Sequence, residues 1–539
     1  MTLRRISTTM KQRFCRNFAM CSGLALLFLA MISASAQQVQ RNPIVVHATA
    51  HTTTPLAFRD MTPVPWHNAS KVMPEHDRAP HPHISGVPDA VTQSLTLPLV
   101  STIRGLSFDG ITDLQGGGFV PPDTNAAVGA TQVVETVNVA YAVYDKTTGN
   151  QLMAPTNIQT LYAPLGGQCA TGNVSDPVAT YDKAAGRWLI TMIAFNNTFT
   201  VNDSCVAVST TSDATGIFHL YQFSYGKTLP DYPKLGVWPD AYYITTNSFP
   251  SGGTFTGAET CALDRTNMLA GNTATMICFK RGTSDFSLMP ADLDGAMAPP
   301  AGSPNYELEL ATPTTLNLYK FHVDFVTPTK STFIGPTMLT VAAYTDACAA
   351  NGTCIVQPSP GELLDSLGDR LMYRLAYRNF GDHEALVANH SIKGSGTGKA
   401  VSAVRWYEIR SPGSSPVVFQ QGTVGGGSSS VAFWMGSIAM DKNGDIALGY
   451  SKSNKTVKPS IEYAGRIPTD ALGKMESPKL IITGTGVQTS SFSRWGDYSS
   501  MAIDPADDCT FWYTQEYYKT TGSFNWNTRV ASFKFTTCH

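Results

Sequence analysis

Asp176-Pro-Val-Ala-Thr-Tyr-Asp182-Lys-Ala-Ala-Gly186-Arg-Trp188-Leu-Ile-Thr191 reads as a hairpin. An apolar strand follows an Asp-Pro opening, Asp and Gly supply the turn, and an aromatic and β-branched strand returns. The phrase recurs. Gly496-Asp497-Tyr-Ser-Ser-Met-Ala-Ile-Asp504-Pro-Ala-Asp-Asp508-Cys-Thr-Phe-Trp512 and Gly436-Ser-Ile-Ala-Met-Asp441-Lys-Asn-Gly444-Asp445-Ile-Ala-Leu-Gly-Tyr450 are close copies, and looser ones start at Asp123, Asp231 and Asp369. One β unit repeated at intervals of about 50 residues or more predicts stacked sheets.

No long helices alternate with these strands, so the expected class is all-β. Radial repetition, which leaves only short protected edges, predicts a β-propeller. Six blades are expected, with a seventh built from 300–345 as the alternative. The last copy is one strand short. Ser101-Thr-Ile-Arg-Gly-Leu-Ser-Phe108 can supply it, so a strand near 101–108 is expected to close the ring.

Ahead of the fold, Arg4, Arg5, Lys11, Arg13 and Arg16 precede an apolar run from Gly23 to Ile32, and Ala34-Ser-Ala36 is a small-x-small cleavage site. Residues 1–36 therefore read as a signal peptide, and the expected location is secreted or periplasmic. No later stretch has the ~20 apolar residues of a membrane-spanning helix. Residues 37–100 hold six of the eleven histidines and many prolines and threonines. They read as a largely disordered leader, leaving 101–539 for the propeller.

Of the ten cysteines, Cys15 and Cys21 fall in the signal. The other eight are an even set in an exported chain and predict disulfides. Proximity pairs them Cys169–Cys205, Cys261–Cys278, Cys348–Cys354 and Cys509–Cys538. A net charge of −2, with 14% charged residues, lacks the basic surplus that nucleic-acid binding requires. A monomer is expected.

Pro121-Pro-Asp-Thr-Asn125, Leu364-Asp-Ser-Leu-Gly-Asp-Arg-Leu-Met-Tyr-Arg-Leu-Ala-Tyr-Arg378 and Arg494-Trp-Gly-Asp-Tyr498 resemble a group of uncharacterised exported microbial propeller-like proteins. That resemblance spans most of 101–538 and implies no activity. The blade openings are more distantly similar to sialidase-like and arabinanase-like propellers.

In a propeller the first strand of every sheet lines the channel, so the Asp-led starts converge. Asp231, Asp369, Arg370, Arg374, Trp434, Arg494, Trp495 and Asp497 are the expected ligand-binding set at that mouth. Asp123, Asp176 and Asp497 are the metal candidates, with Ca²⁺ the natural ion for oxygen ligands. Asp441-Lys-Asn443-Gly-Asp445 reads as a hairpin turn instead. The expected function is binding of a carbohydrate or surface polymer. One alternative is a glycoside hydrolase or lyase with Asp123, Asp176 and Glu384 as catalytic candidates, since glycoside hydrolysis uses paired carboxyl groups. The other is an extracellular protein-interaction scaffold.

Overall fold

In the computed structural model, which describes residues 38–66, 68, 70–72, 89–93, 97–348, 352–394, 402–425 and 430–539, the opening phrase forms the hairpin its residues predict. Asn173–Asp182 pairs antiparallel with Arg187–Phe195, Ile190 opposite Ala179, and Gly186 takes the left-handed φ of 67° at the turn. Asn202–Ser209 and Phe218–Gly226 continue the sheet. The signal peptide lies outside the described residues.

Among the described residues the same four-stranded meander occurs seven times. The first sheet runs from Asn125–Val128 to Gln151–Asn157, and the second is the one just described. The third runs from Thr228–Val237 to Thr275–Lys280, and the fourth from Met289–Asp294 to Thr332–Thr340. The fifth spans Met372–Asn379 to Val417–Gly425, and the sixth Ala432–Met440 to Glu476–Ile482. The seventh consists of Ser500–Ile503, Phe511–Tyr518, Trp526–Phe535 and the N-terminal strand Thr102–Thr112. Phe108 lies opposite Val530 there, so a strand from the start of the fold closes the last sheet. First strands of neighbouring sheets touch in sequence, and that of the seventh touches that of the first. The architecture is a closed, propeller-like ring within the unit Val39–His539.

Six such sheets were expected, with a seventh from 300–345 as the alternative, and three strands of the fourth sheet, Asn305–Thr312, Thr315–His322 and Thr332–Thr340, fall in that range. The first strand of that fourth sheet lacks the Asp-led opening and pairs parallel with the first strand of the fifth, Ala291 opposite Leu375 and Asp294 opposite Arg378. The N-terminal leader is also partly structured. Ile44–His47 adds to the outer edge of the third sheet and Ala50–Thr53 to that of the second, where they pair edge N–H and C=O groups that water would otherwise have to satisfy.

All four disulfides join the expected partners. Cys261 and Cys278 face each other across adjacent strands. In the third sheet the Asp264 carboxylate accepts from the Asn267 N–H and caps the short helix Arg265–Ala270, which ends at left-handed Gly271. The core lies between sheets, where Trp188, Trp238, Trp406, Trp434, Trp495 and Trp526 are fully buried. No helix among the described residues is long and apolar enough to cross a membrane.

Candidate functional site

Six of the seven sheets enter the ring through a local backbone device. Asp123, Asp176, Tyr232, Ser287 and Met435 all have φ near 50°, and Gly496 has φ 131°. This region is costly for non-glycine residues, and a neighbouring sheet supports it. The Asn138 Oδ1 accepts from the Asp176 N–H at 2.9 Å, and the Asn247 Oδ1 accepts from the Ser287 N–H at 2.9 Å. The asparagine of one sheet thus fixes the opening of the next. These asparagines were missed in the sequence, although Asn138 and Asn247 each stand at the end of an apolar strand phrase.

At this strand-start mouth the expected convergence occurs in part. Asp497 donates its N–H to the Asp123 Oδ1 at 2.7 Å, and the Asn138 amide donates to the Asp123 Oδ2 at 2.6 Å. Arg494 pairs with Asp497. Arg370 makes a two-pronged pair with Asp369 at 2.8 and 3.1 Å and lies 4.7 Å over the Tyr232 ring. Lys234 had not been singled out. Its Nζ sits 3.3 Å over the Tyr232 ring and 4.1 Å over that of Tyr498, with no exposed surface. Burial and the charges of Asp497 and Asp176 push Asp123 well above the usual carboxylate range. Asp176 moves up by burial and Asp497, and Asp231 reaches about 8 by burial and Asp176. Burial lowers Lys234 to about 8 against the pull of Asp176, Asp497 and Asp123. This end of the channel is a plug of nearly solvent-free charge.

Other expected members lie elsewhere. Trp434 and Trp495 are 0% and 1% exposed and pack edge to face at 5.6 Å in the core, so they offer no sugar-stacking face. Arg374 joins Asp292 at 2.7 Å and Asp294 at 2.6 Å, deeper along the channel. Glu384 is paired with Asn379 at the far end of the fifth sheet's first strand. It accepts hydrogen bonds from Tyr377 at 2.6 Å and Tyr306 at 3.3 Å. It therefore forms no catalytic set with Asp123 and Asp176, which open their strands. Nor do Asp123, Asp176 and Asp497 bring their oxygens within 4.8 Å of one another. Among the described residues only Glu259, Cys261 and Cys278 meet that criterion. Both of those cysteines are spent in a disulfide, leaving no thiolate for a metal. Asp441 accepts the N–H groups of Asn443 and Asp445 at 2.9 and 3.0 Å, as a hairpin turn does.

The strand-end mouth is different. A cavity of about 410 Å³ opens there, with Tyr181, Pro239, Leu293 and Ala296 on its apolar side and Lys183 and Arg265 on its polar side. Its carboxylates are already engaged. Asp182 is gripped by Arg265 at 2.6 and 3.1 Å and by the Tyr242 hydroxyl at 2.9 Å. Asp508 is held at 2.8 and 2.7 Å by Arg378. Lys183 is the exception. No hydrogen bond engages its ammonium among the described residues, and burial lowers its pKa despite Asp294 and Asp508 nearby. Sequence reasoning passed over Lys183 because it occupies a hairpin turn, where lysine is ordinarily solvated.

No family model matches the chain. No curated protein matches it either. Solved structures with a distant likeness include the α-L-arabinofuranosidase Arb93A from Fusarium graminearum, at 10% identity and TM-score 0.34, covering 81% of this chain and 98% of that one. The α-L-arabinanase of Penicillium chrysogenum gives 10%, 0.32, 81% and 100%. The Trypanosoma rangeli sialidase gives 10%, 0.32, 80% and 60%. Likeness at this level carries no argument about the site.

Proposed function

We propose that this protein is an exported binding protein that takes a small carbohydrate ligand, free or as the end of a surface polymer, in the strand-end cavity. The observation that carries this reading is the cavity of about 410 Å³ with one apolar wall and one polar wall, where Lys183 and Arg265 stand beside Asp182 and Asp508. Ligand pockets of about 300–1,000 Å³ with few convergent polar groups are the usual form of small-molecule sites. A sugar matches the two walls. Its C–H face lies on Tyr181 and Leu293, and its hydroxyls accept from Lys183 and the outward N–H groups of Arg265. With Asp182 and Asp508 each tied to an arginine, the cavity holds no free carboxyl pair to flank a glycosidic bond, which favours binding over hydrolysis.

A glycan array followed by calorimetry on the purified protein tests the reading. Retention of a defined glycan without release of reducing sugar is expected. Lys183→Ala and Tyr181→Ala should each weaken it by at least about tenfold, roughly 1.4 kcal/mol, with the melting temperature nearly unchanged. Retention that both variants leave intact, or no retention of any glycan, would sink the proposal.

A further inference from the structure

A second, smaller space adjoins the strand-end cavity. It measures about 40 Å³ and shares Tyr181, Lys183, Leu293, Gly295, Pro505 and Asp508 with the cavity wall. It reaches toward the middle of the channel, where Arg374 holds Asp292 and Asp294. At roughly 10–15 Å³ for each water-sized occupant, such a chamber takes about three heavy atoms. Ala126, Ala127, Ala179 and Ala502 line it, all on first strands of their sheets. Small side chains on those strands keep this stretch of the channel open.

The chamber offers unspent donors and acceptors. Lys183 and Thr180 both line it, and among the described residues no hydrogen bond engages the ammonium of the one or the hydroxyl of the other. Each oxygen of Asp294 takes one N–H from Arg374, and each oxygen of Asp508 takes one from Arg378. A carboxylate oxygen has two lone pairs, so each keeps one free. The charge, in contrast, is closed. Among the described residues that line or pair at the two spaces, Lys183, Arg265, Arg374 and Arg378 stand against Asp182, Asp292, Asp294 and Asp508. An anionic substituent would add an unbalanced buried charge. The group that fits is therefore neutral, about three heavy atoms long, able to accept and donate, and apolar at its tip.

Among sugar substituents the acetamido group has all of these properties. Its carbonyl accepts from Lys183 and Thr180, its N–H donates to Asp508, and its methyl lies on the alanines. A hydroxyl or hydroxymethyl group has no apolar end for those alanines, and a carboxylate or sulfate carries charge. We infer that the ligand of the strand-end cavity is an N-acetylated amino sugar whose acetamido group enters the adjoining chamber, an inference that rests on the carbohydrate reading above. Thr180 and Ala502 then determine specificity.

Calorimetry on the purified protein with matched sugars tests it, using the gluco, galacto and manno N-acetylhexosamines against the parent hexoses. At least one acetamido sugar should bind at least tenfold more tightly than its hydroxyl counterpart. Thr180→Val keeps the shape and removes the hydroxyl, and it should reduce that preference severalfold. Ala502→Val fills the chamber and should bring the acetamido sugar down to the affinity of its counterpart. A probe on the ligand side needs no variant: the N-propionyl analogue, one methylene larger, should bind the wild type at least tenfold more weakly than the N-acetyl sugar. Equal affinity for an acetamido sugar and its hydroxyl counterpart overturns the inference and leaves the carbohydrate reading standing. Equal binding of the N-propionyl and N-acetyl sugars, or a preference that survives both variants, overturns it as well. Failure to retain any sugar removes the inference together with the reading on which it rests.

Discussion

Replacing Asp89 by alanine should destabilise the protein by about 3–5 kcal/mol, the usual cost of stranding one member of a buried ion pair. Asp89 belongs to the N-terminal leader, yet its carboxylate lies 2.6 Å from Arg405 on the third strand of the fifth sheet, with side-chain exposures of 2% and 0%. The rest of the guanidinium is bound to the Thr423 hydroxyl at 2.8 Å and the Ala342 carbonyl at 3.0 Å. Those groups are neutral, so without Asp89 a full positive charge remains in the interior. The shift in denaturation midpoint measures the loss. Arg405→Met on the Asp89→Ala background should recover most of it, because an apolar side chain of similar length removes the orphaned charge. A loss below about 1 kcal/mol would show that the leader lifts away and hydrates Arg405, so the pair would hold nothing essential.

That a leader residue carries such weight was not legible in the sequence. Composition marks 37–100 as poor in core-forming residues, and strands as short as Ile44–His47 are recruited only by the unpaired edge of a sheet formed hundreds of residues later. The Asp-led phrase, by contrast, is local: its strand periodicity and turn residues place the hairpins, and adjacency on neighbouring strands pairs Cys261 with Cys278. The fourth sheet was legible only as the alternative from 300–345, and its first strand escaped because Leu288-Met-Pro-Ala-Asp292-Leu-Asp294 has no Asp-led opening and carries a proline. Arg370 and Arg374, both expected at the mouth, part for a geometric reason. A strand advances about 3.3 Å per residue, so positions four apart on one face lie about 13 Å apart along the channel. Arg370 therefore serves the strand-start mouth, Arg374 the middle with Asp292 and Asp294, and Arg378 the strand-end mouth with Asp508. Identical spacing on one face distributes charge along the channel instead of gathering it.

Stability should fall as the pH rises from about 5 to 8.5, and Glu307→Gln should flatten that fall. Glu307 and Glu309 lie on the second strand of the fourth sheet with no exposed surface. Burial pushes Glu307 to about 8, with the charge of Glu309 adding to it and the Thr260 hydroxyl and Arg281 opposing. Burial and Asp285 push Glu309 to about 8 against hydrogen bonds from Asn317, Tyr319 and the Phe286 N–H. Glu135 rises to about 7 for the same main reason. In the unfolded chain a glutamate titrates near 4.3. Between that value and 8 the folded state holds more protons than the unfolded one, so the slope of stability against pH is negative. These groups cost nothing below about 4.3 and progressively more up to their folded values. Each unit of raised pKa is worth about 1.4 kcal/mol, so together they weaken the fold by several kcal/mol across the window. Glu307 is the clean probe. Its Oε1 accepts the Thr260 hydroxyl proton, which an amide oxygen also accepts, and its Oε2 has no partner among the described residues. Glu309 is not, because its Oε1 accepts from Tyr319 and Asn317 and its Oε2 from the Phe286 N–H, so an amide nitrogen would face a donor on either side. Thermal melts from pH 5 to 9 should show Glu307→Gln near wild type at pH 5 and clearly above it at pH 8.5. Parallel curves would mean that Glu307 ionises without penalty inside the fold, and that Arg281 already balances its charge.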